Sequence, residues 1–167
     1  MSIRIHAFRA ESSADLAAVL ELILPIQQTE FGIAISIEDQ PDLLNIAQFY
    51  QTGAGNFWLA STLAADTVVG SIALLDIGAG QAALRKMFVA TDYRGSEHGV
   101  ASKLLQHAVA WAKEHDLQDI FLGTTEQFHA AHRFYEKNGF LKISRQALPP
   151  SFPVMRVDTV FYHLSLQ

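Results

Sequence analysis

The most constraining feature of the chain is a glycine-bearing loop that runs directly into an amphipathic helix, YRGSEHGVASKLLQHAVAWA, residues 93–112. After Gly99 the apolar side chains recur at helical spacing, which predicts a helix with one buried face. Most of the stability of such a helix comes from packing of that face, so the chain must fold a core against it. The predicted stripe consists of Val100, Leu104, Leu105, Ala108, Trp111 and Ala112.

The start of this helix is a candidate anion site. The first turn of a helix has unpaired backbone N–H groups and carries about half a positive charge. Gly99, Ala101 and Ser102 leave the backbone accessible, and Arg94 and Gly95 precede them. An ordinary glycine at a strand-to-helix turn explains the loop equally well, so the loop alone leaves both interpretations open.

The composition predicts one ordered domain, residues 1–167, in which half of the residues are hydrophobic and 17% are charged. The absence of cysteine rules out disulfides and thiolate chemistry. A net charge of −5 argues against nucleic-acid binding, yet residues 81–103 carry four basic and two acidic side chains, which suits a small polyanion. The N-terminus lacks a signal-peptide core, and the apolar stretches are shorter than the ~20 residues of a membrane span. We therefore expect a cytoplasmic protein with neither a nucleic-acid nor a membrane partner; a homodimer is compatible with these features.

The periodicity of apolar residues predicts a mixed α/β domain with a largely antiparallel sheet and a parallel crossover in its second half. A capping box at Ser12 opens the first helix, Pro25 kinks or ends it, and Asn138-Gly139 forms a left-handed C-cap on the last. Helices are expected from residue 12, from about 39 to 50, from residue 100, and over 128–135. Strands are expected at 3–10, 57–64, 67–75, 82–89, 119–123, 140–147 and 156–164.

A second segment, AAHRFYEKNGF (residues 130–140), helps to interpret the loop and helix of residues 93–112. Together they resemble the GNAT superfamily of N-acetyltransferases. That family has an apolar strand, an Arg/Gln-x-x-Gly-x-Gly/Ala loop and a helix, here LRKMFVATDYRGSEHGVASKLL, and a tyrosine-bearing helix end before Gly-Phe, here FYEKNGF. The resemblance implies an α+β sheet of about seven strands with a splayed central pair, flanked by about four helices. Two positions depart from the family pattern. Ser96 stands at the Arg/Gln position, so the loop is two residues longer, and Phe128, which we expect to pack in the core, stands where Asn is frequent.

The resemblance also implies acetyl-CoA as cosubstrate and no metal. The diphosphate is expected on backbone N–H groups at the start of the helix. The pantetheine arm is expected in the wedge between the splayed strands, one of which ends at Phe88-Val89. The expected cofactor-binding residues are Phe88, Val89, Arg94, Gly95, Gly99, Val100, Ala101 and Ser102.

The implied reaction is direct attack of a primary amine, on a small molecule or a peptide, on the acetyl thioester. It needs a donor for the developing oxyanion, expected to be the N–H of Val89, and an acid for the thiolate, expected to be Tyr135. A tyrosine that only packs at a helix end is the alternative for Tyr135. At the level of function, the alternative is a non-catalytic CoA-binding regulatory module of the same fold. Other nucleotide-binding classes lack their fingerprints here, G-x-G-x-x-G or G-K-[ST].

The sequence does not identify a general base. Asp76, Glu30 and Glu126 are candidates by position only. His129 and His132 could pair on a metal, but no third ligand is spaced to join them. The acidic net charge favours cationic amines as acceptors. Five aromatic residues are candidates for the acceptor pocket: Phe31, Phe49, Tyr50, Trp58 and Phe152.

Overall fold

Seven strands form one sheet: β1 (Ile3–Ala7), β2 (Asn56–Thr62), β3 (Val68–Gly78), β4 (Gln81–Val89), β5 (Asp119–Thr124), β6 (Leu141–Ile143) and β7 (Val160–Ser165). The computed structural model describes residues 2–95 and 97–167. The strand order is β1-β2-β3-β4-β5-β7-β6, and neighbours are antiparallel except β4 and β5, which are parallel. The mixed, mostly antiparallel sheet expected from the sequence is therefore confirmed.

The described residues form four α-helices: α1 (Ser13–Pro25), α2 (Ile46–Phe49), α3 (Val100–Glu114) and α4 (His129–Lys137). The side chain of Ser12 caps α1 by accepting a hydrogen bond of 3.1 Å from the backbone N–H of Asp15. As predicted, α1 ends at Pro25, and a π-helical turn (Ile26–Glu30) continues from it. Gly139, just after α4, has φ of +92°, so the left-handed C-cap is also confirmed.

Several predicted boundaries were wrong. The helix expected from 39 to 50 is divided into a 3₁₀ turn (Pro41–Leu44) and the short α2. β1 ends at Ala7 rather than at residue 10, whereas β3 extends to Gly78 because the hairpin turn lies further along the chain than expected. The strand expected at 140–147 is only three residues long, and β7 begins four residues later than expected. In β7 the cause is a turn at 155–158, closed by a hydrogen bond from the N–H of Asp158 to the carbonyl of Met155.

The sheet separates two hydrophobic cores. Side chains alternate across β2, so that Trp58 and Ala60 face the core beneath α3 and α4, while Phe57 and Leu59 face the core beneath α1 and α2. Of the predicted α3 stripe, all members are buried except Trp111, which is half-buried and donates its indole N–H to the carbonyl of Ala54 at 2.9 Å. None of the helices in the described ranges is both long and apolar enough to cross a membrane.

The central strands β4 and β5 are paired over only part of their length. Their ladder covers Gln81–Ala83 against Asp119–Phe121. Beyond it, β4 continues against β3 while β5 continues against β7. A bulge in β4 places Lys86 at φ of +55°, and the hydroxyl of Ser71 donates to the Lys86 carbonyl at 2.7 Å. The expected splayed pair is confirmed, and a wedge opens between the two strands.

Candidate active site

A cavity of about 810 Å³ opens at this wedge. Eight of the nine predicted site residues line it; Val100 does not, because its side chain is buried in the core. We distinguish two sets of lining residues. The helix side comprises Val89, Gly99, Ala101, Ser102, Thr125 and Tyr135. The bulge side comprises Gln27, Arg85, Lys86, Phe152 and Asp158.

The start of α3 presents open backbone donors. Gly99, the N-cap, has φ of +64° and ψ of +22°, a left-handed conformation that favours glycine. Its N–H donates a hydrogen bond of 3.3 Å to the carbonyl of Gly95. The first intrahelical hydrogen bond runs from the N–H of Lys103 to the carbonyl of Gly99. The N–H groups of residues 100–102 therefore precede the helical ladder, and no side chain of the described residues caps them.

Arg94 joins this loop to the π-helical turn. Its guanidinium donates to both carboxylate oxygens of Glu30, and its Nε donates to the carbonyl of Val89 at 2.8 Å. The hydrogen bond from Arg94 is the main reason that the pKa of Glu30 lies below its ordinary value. Glu97, by contrast, has a side chain that is 82% exposed. Ser96, which stands at the Arg/Gln position of the family motif, lies outside the described residues.

The strand end at Val89 directs one backbone donor towards the wedge. The next residue, Ala90, donates its N–H to the carbonyl of Val69 on the β3 side at 2.8 Å. Because successive amides of a strand point in opposite directions, the N–H of Val89 points to the β5 side. No ladder pair joins β4 to β5 at this position, so the donor faces the cavity.

Tyr135 reaches the cavity from α4. Its ring is buried against Phe134, Phe140 and Tyr162, with ring centroids 5.4 to 6.0 Å apart. Its hydroxyl has no hydrogen-bond partner among the described residues. Burial raises the pKa of this phenol above its ordinary value, so it stays protonated at neutral pH.

Two polar groups on the cavity wall were not anticipated from the sequence. Thr125, directly after β5, has a buried hydroxyl oxygen without a hydrogen-bond partner in the described part of the chain. Asp158 places its carboxylate over Gly123, where an added Cβ would lie 2.5 Å from Oδ2. Burial raises the pKa of Asp158 above its ordinary value, with Arg85 and Arg145 acting in the opposite direction. No local motif points to either residue, because each acquires its setting from strand pairing or from a turn.

The bulge also carries a buried ion pair. The Nζ of Lys86 lies 2.6 Å from Oε1 of Gln40 and 3.6 Å from the carboxylate of Asp42, which accepts a 2.6 Å hydrogen bond from Tyr50. Only 8% of the Lys86 side chain is exposed, and burial lowers its pKa to about 8. The signal available in the sequence was two adjacent basic residues, Arg85 and Lys86, inside an otherwise apolar strand.

The sequence-based candidates for a base do not have a free carboxylate facing the cavity. Glu30 is paired with Arg94, and the carboxylate of Asp76, near the end of β3, accepts hydrogen bonds of 2.9 Å from the N–H groups of Ala54 and Gly78. Glu126 is exposed and is not part of the lining. Within the described residues, no group of three or more His, Cys, Asp or Glu side chains is arranged to hold a metal ion.

Of the five aromatic residues that were candidates for the acceptor pocket, two line the cavity and three do not. Phe31 and Phe152 line the cavity, whereas Trp58 is buried in the core under α3. Phe49 and Tyr50 take part indirectly, through Arg85, which lies over both rings. The expectation that Phe128 packs in the core was wrong: it precedes α4, is only half-buried and contacts Phe31 at a ring distance of 4.6 Å on the cavity wall.

Residues 20–140 match the family described as Acetyltransferase (GNAT) family. The structure is similar to that of an acetyltransferase of the GNAT family from Staphylococcus aureus Mu50, with a TM-score of 0.91, 38% identity, and coverage of 99% of this chain and 100% of that one. An acetyltransferase from Streptococcus agalactiae 2603 gives a TM-score of 0.90 and 32% identity, with 98% of each chain covered.

A curated relative is N-acetylaspartate synthetase from Xenopus tropicalis, 30% identical over 127 residues, which are 74% of this chain and 45% of that protein. The chain spans about half the length of the curated relatives it matches.

Proposed function

Because the chain belongs to the GNAT acetyltransferase family, we propose that it transfers the acetyl group of acetyl-CoA to a primary amine of a small molecule or peptide. The observation that carries the proposal is that open donors at the start of α3, the wedge between β4 and β5, and the hydroxyl of Tyr135 meet in one cavity. Each of these features matches one part of the cosubstrate or one step of the reaction.

The helix side fits the chemistry of coenzyme A. The N–H groups of Val100, Ala101 and Ser102 would hold the diphosphate, and the left-handed Gly99 keeps the backbone accessible. Thr125 offers an unsatisfied buried hydroxyl to an amide or hydroxyl group of the pantetheine arm. Phe88, Gly95 and Arg94 complete this wall, with the guanidinium of Arg94 shared with Glu30.

The chain's own groups would carry the reaction as follows. The bound cosubstrate supplies an activated acetyl thioester. The N–H of Val89 would donate to the carbonyl oxygen as negative charge develops on it. Tyr135 would donate its proton to the departing sulfur, and the buried ring fixes the direction of its hydroxyl.

The test has two stages. Acetyl-CoA and CoA should raise the melting temperature, whereas NAD and ATP should do so far less; a ligand at 100 times its Kd contributes about 2.7 kcal/mol. Release of free thiol should then follow addition of an amine from a panel. Amino acids belong in the panel because one relative is named for an acetylated amino acid.

The outcomes separate the competing functions. Stabilisation by acetyl-CoA with no thiol release for any amine would favour a non-catalytic CoA-binding regulatory module. Stabilisation by NAD or ATP and none by CoA would exclude both.

A further inference from the structure

The bulge side contains a cation and an anion that the reaction scheme above does not use, Arg85 and Asp158. We propose that they recognise the acceptor, and that the acceptor is an α-amino acid or a closely related amino carboxylate. In this arrangement Arg85 binds the carboxylate and Asp158 receives a proton from the ammonium group. The proposal rests on the proposed function, because it names the acceptor class of the same site.

The guanidinium of Arg85 is available to bind an anion. Its guanidinium carbon lies 5.6 Å from the ring centre of Phe49 and 5.8 Å from that of Tyr50, so aromatic faces hold it in place. Its one polar contact among the described residues is a 3.4 Å approach of Nη2 to the sulfur of Met155, a weak acceptor. Two other cations of the cavity wall have carboxylate partners, Arg94 with Glu30 and Lys86 with Asp42. A guanidinium presents paired N–H donors whose geometry matches a carboxylate.

Asp158 lies on the cavity wall beside the wedge in which the thioester is expected. Its Oδ2 accepts a hydrogen bond of 2.9 Å from the N–H of Met155, and the absence of a side chain at Gly123 makes room for the carboxylate. Gly123 lies on the part of β5 that has diverged from β4. The carboxylate is therefore held at the wedge itself.

One residue links the two charges. Met155 contacts the carboxylate of Asp158 through its backbone N–H and the guanidinium of Arg85 through its sulfur. The two charged groups thus lie on either side of a single residue without forming an ion pair of 4.0 Å or less within the described residues. In the proposed arrangement, a ligand with adjacent positive and negative groups would contact both charges.

The chemical step balances as follows. The ammonium group gives one proton to Asp158, and the freed lone pair forms the C–N bond while the C–S bond breaks. Tyr135 gives its proton to the sulfur, and the second proton lost by the nitrogen replaces it. Asp158 then releases its proton to solvent. The products are the N-acetyl amino acid, free CoA thiol and one proton.

The test compares the twenty common L-amino acids with their carboxamides. The amide keeps the amino group and the side chain but loses the negative charge. In the wild type, kcat/KM should be at least tenfold higher for the preferred amino acid than for its amide. Arg85→Gln should reduce this ratio to about threefold or less, mainly through KM, since a hydrogen bond to a charged group contributes about tenfold or more. Arg4→Gln is the control, because Arg4 forms an exposed ion pair with Asp66 outside the cavity.

A binding measurement makes the test independent of turnover. In calorimetry, the wild type should bind the N-acetyl amino acid more tightly than the N-acetyl amino acid amide. The Arg85→Gln variant should bind the two with similar affinity. Asp158→Asn should lower kcat and remove the acidic limb of the pH profile of kcat/KM, which loss of packing alone would not do.

Equal use and equal binding of amino acids and amides would overturn the proposal, as would an Arg85→Gln variant with an unchanged ratio. Failure of acetyl-CoA to bind would instead overturn the proposed function.

Discussion

The two sides of the cavity are built in different ways. On the helix side most of the polar groups are backbone donors, namely the N–H groups at the start of α3 and the N–H of Val89, with two side-chain hydroxyls, those of Thr125 and Tyr135, beside them. On the bulge side most of the polar groups are charged side chains, held by partners distant in sequence. Lys86 contacts Asp42, which lies 44 residues away in the sequence, and Arg85 contacts Met155, which lies 70 residues away.

This difference indicates which parts of the site can vary. Backbone donors depend on conformation and on small residues nearby, so they tolerate little change at glycine but much change elsewhere. Side-chain contacts can be exchanged one at a time, which alters the acceptor without disturbing the wedge. We therefore expect substitutions on the helix side to affect every acceptor equally, and those on the bulge side to affect some acceptors and not others.

The largest expected effect on the helix side is that of Tyr135→Phe. The ring retains its packing and only the hydroxyl is lost, so kcat should fall by about 10²–10⁴-fold with every acceptor. Affinity for acetyl-CoA should change by less than about tenfold, or 1.4 kcal/mol. Tyr162→Phe is a matched control, because this neighbouring ring lies 6.0 Å away and its hydroxyl is bonded to Glu136. Steady-state kinetics and calorimetry on both variants measure the two effects, and an unchanged kcat in Tyr135→Phe would reduce the residue to a structural role.

Gly99→Val should weaken acetyl-CoA binding by more than about tenfold. The residue has φ of +64°, which a β-branched side chain rarely adopts, and the new side chain would also stand beside the phosphate-binding amides. Gly78→Val controls for the strain, since Gly78 has φ of +87° in the β3–β4 hairpin with nothing within 4 Å of an added Cβ. Both variants should lose stability, but only Gly99→Val should lose affinity in calorimetry. Normal binding by Gly99→Val would mean that the diphosphate lies elsewhere.

The same difference explains how much could be predicted from the sequence. The order of elements and the start of α3 are encoded locally, by periodicity, Ser12, Gly99 and Gly139, and these were confirmed. The short β6 and the late start of β7 were not predicted, because a 3₁₀ turn (Arg145–Ala147) follows β6 and a turn closed by Asp158 precedes β7. The roles proposed for Arg85 and Asp158 rest on contacts made only after folding. The adjacent basic residues Arg85 and Lys86 marked an unusual strand in the sequence, but no spacing linked them to Asp158.

The bulge side should be sensitive to pH through Lys86. Its pKa is lowered from 10.5 to about 8, so below pH 8 both the folded and unfolded chains hold the proton and the folded one carries the cost of burying the charge. Between about pH 8 and 10 the folded chain releases the proton while the unfolded chain retains it, so stability should rise with pH. Relative to Lys86→Met, the wild type should gain about 1–2 kcal/mol over this range. Guanidinium denaturation at pH 7.5 and 10 measures the gain, and a constant difference between the two proteins would contradict the burial of a charged lysine.

The smallest expected effect is that of Glu97→Ala, and it tests the helix side most directly. Glu97 lies two residues before the left-handed Gly99, in a loop that we expect to hold a diphosphate, where an inward carboxylate would repel the ligand. Its side chain is instead 82% exposed, with the imidazole of His98 at 3.5 Å, so water screens the charge. Removing it should change affinity for acetyl-CoA by less than about threefold, well under the 1.4 kcal/mol of a tenfold effect. Calorimetry at low salt, where surface charges act most strongly, with Glu97→Gln as the isosteric control, gives the hardest test. If both variants bound tenfold more tightly, the carboxylate would face the phosphates in the bound state. The loop, and not only the backbone of α3, would then set the affinity of the helix side.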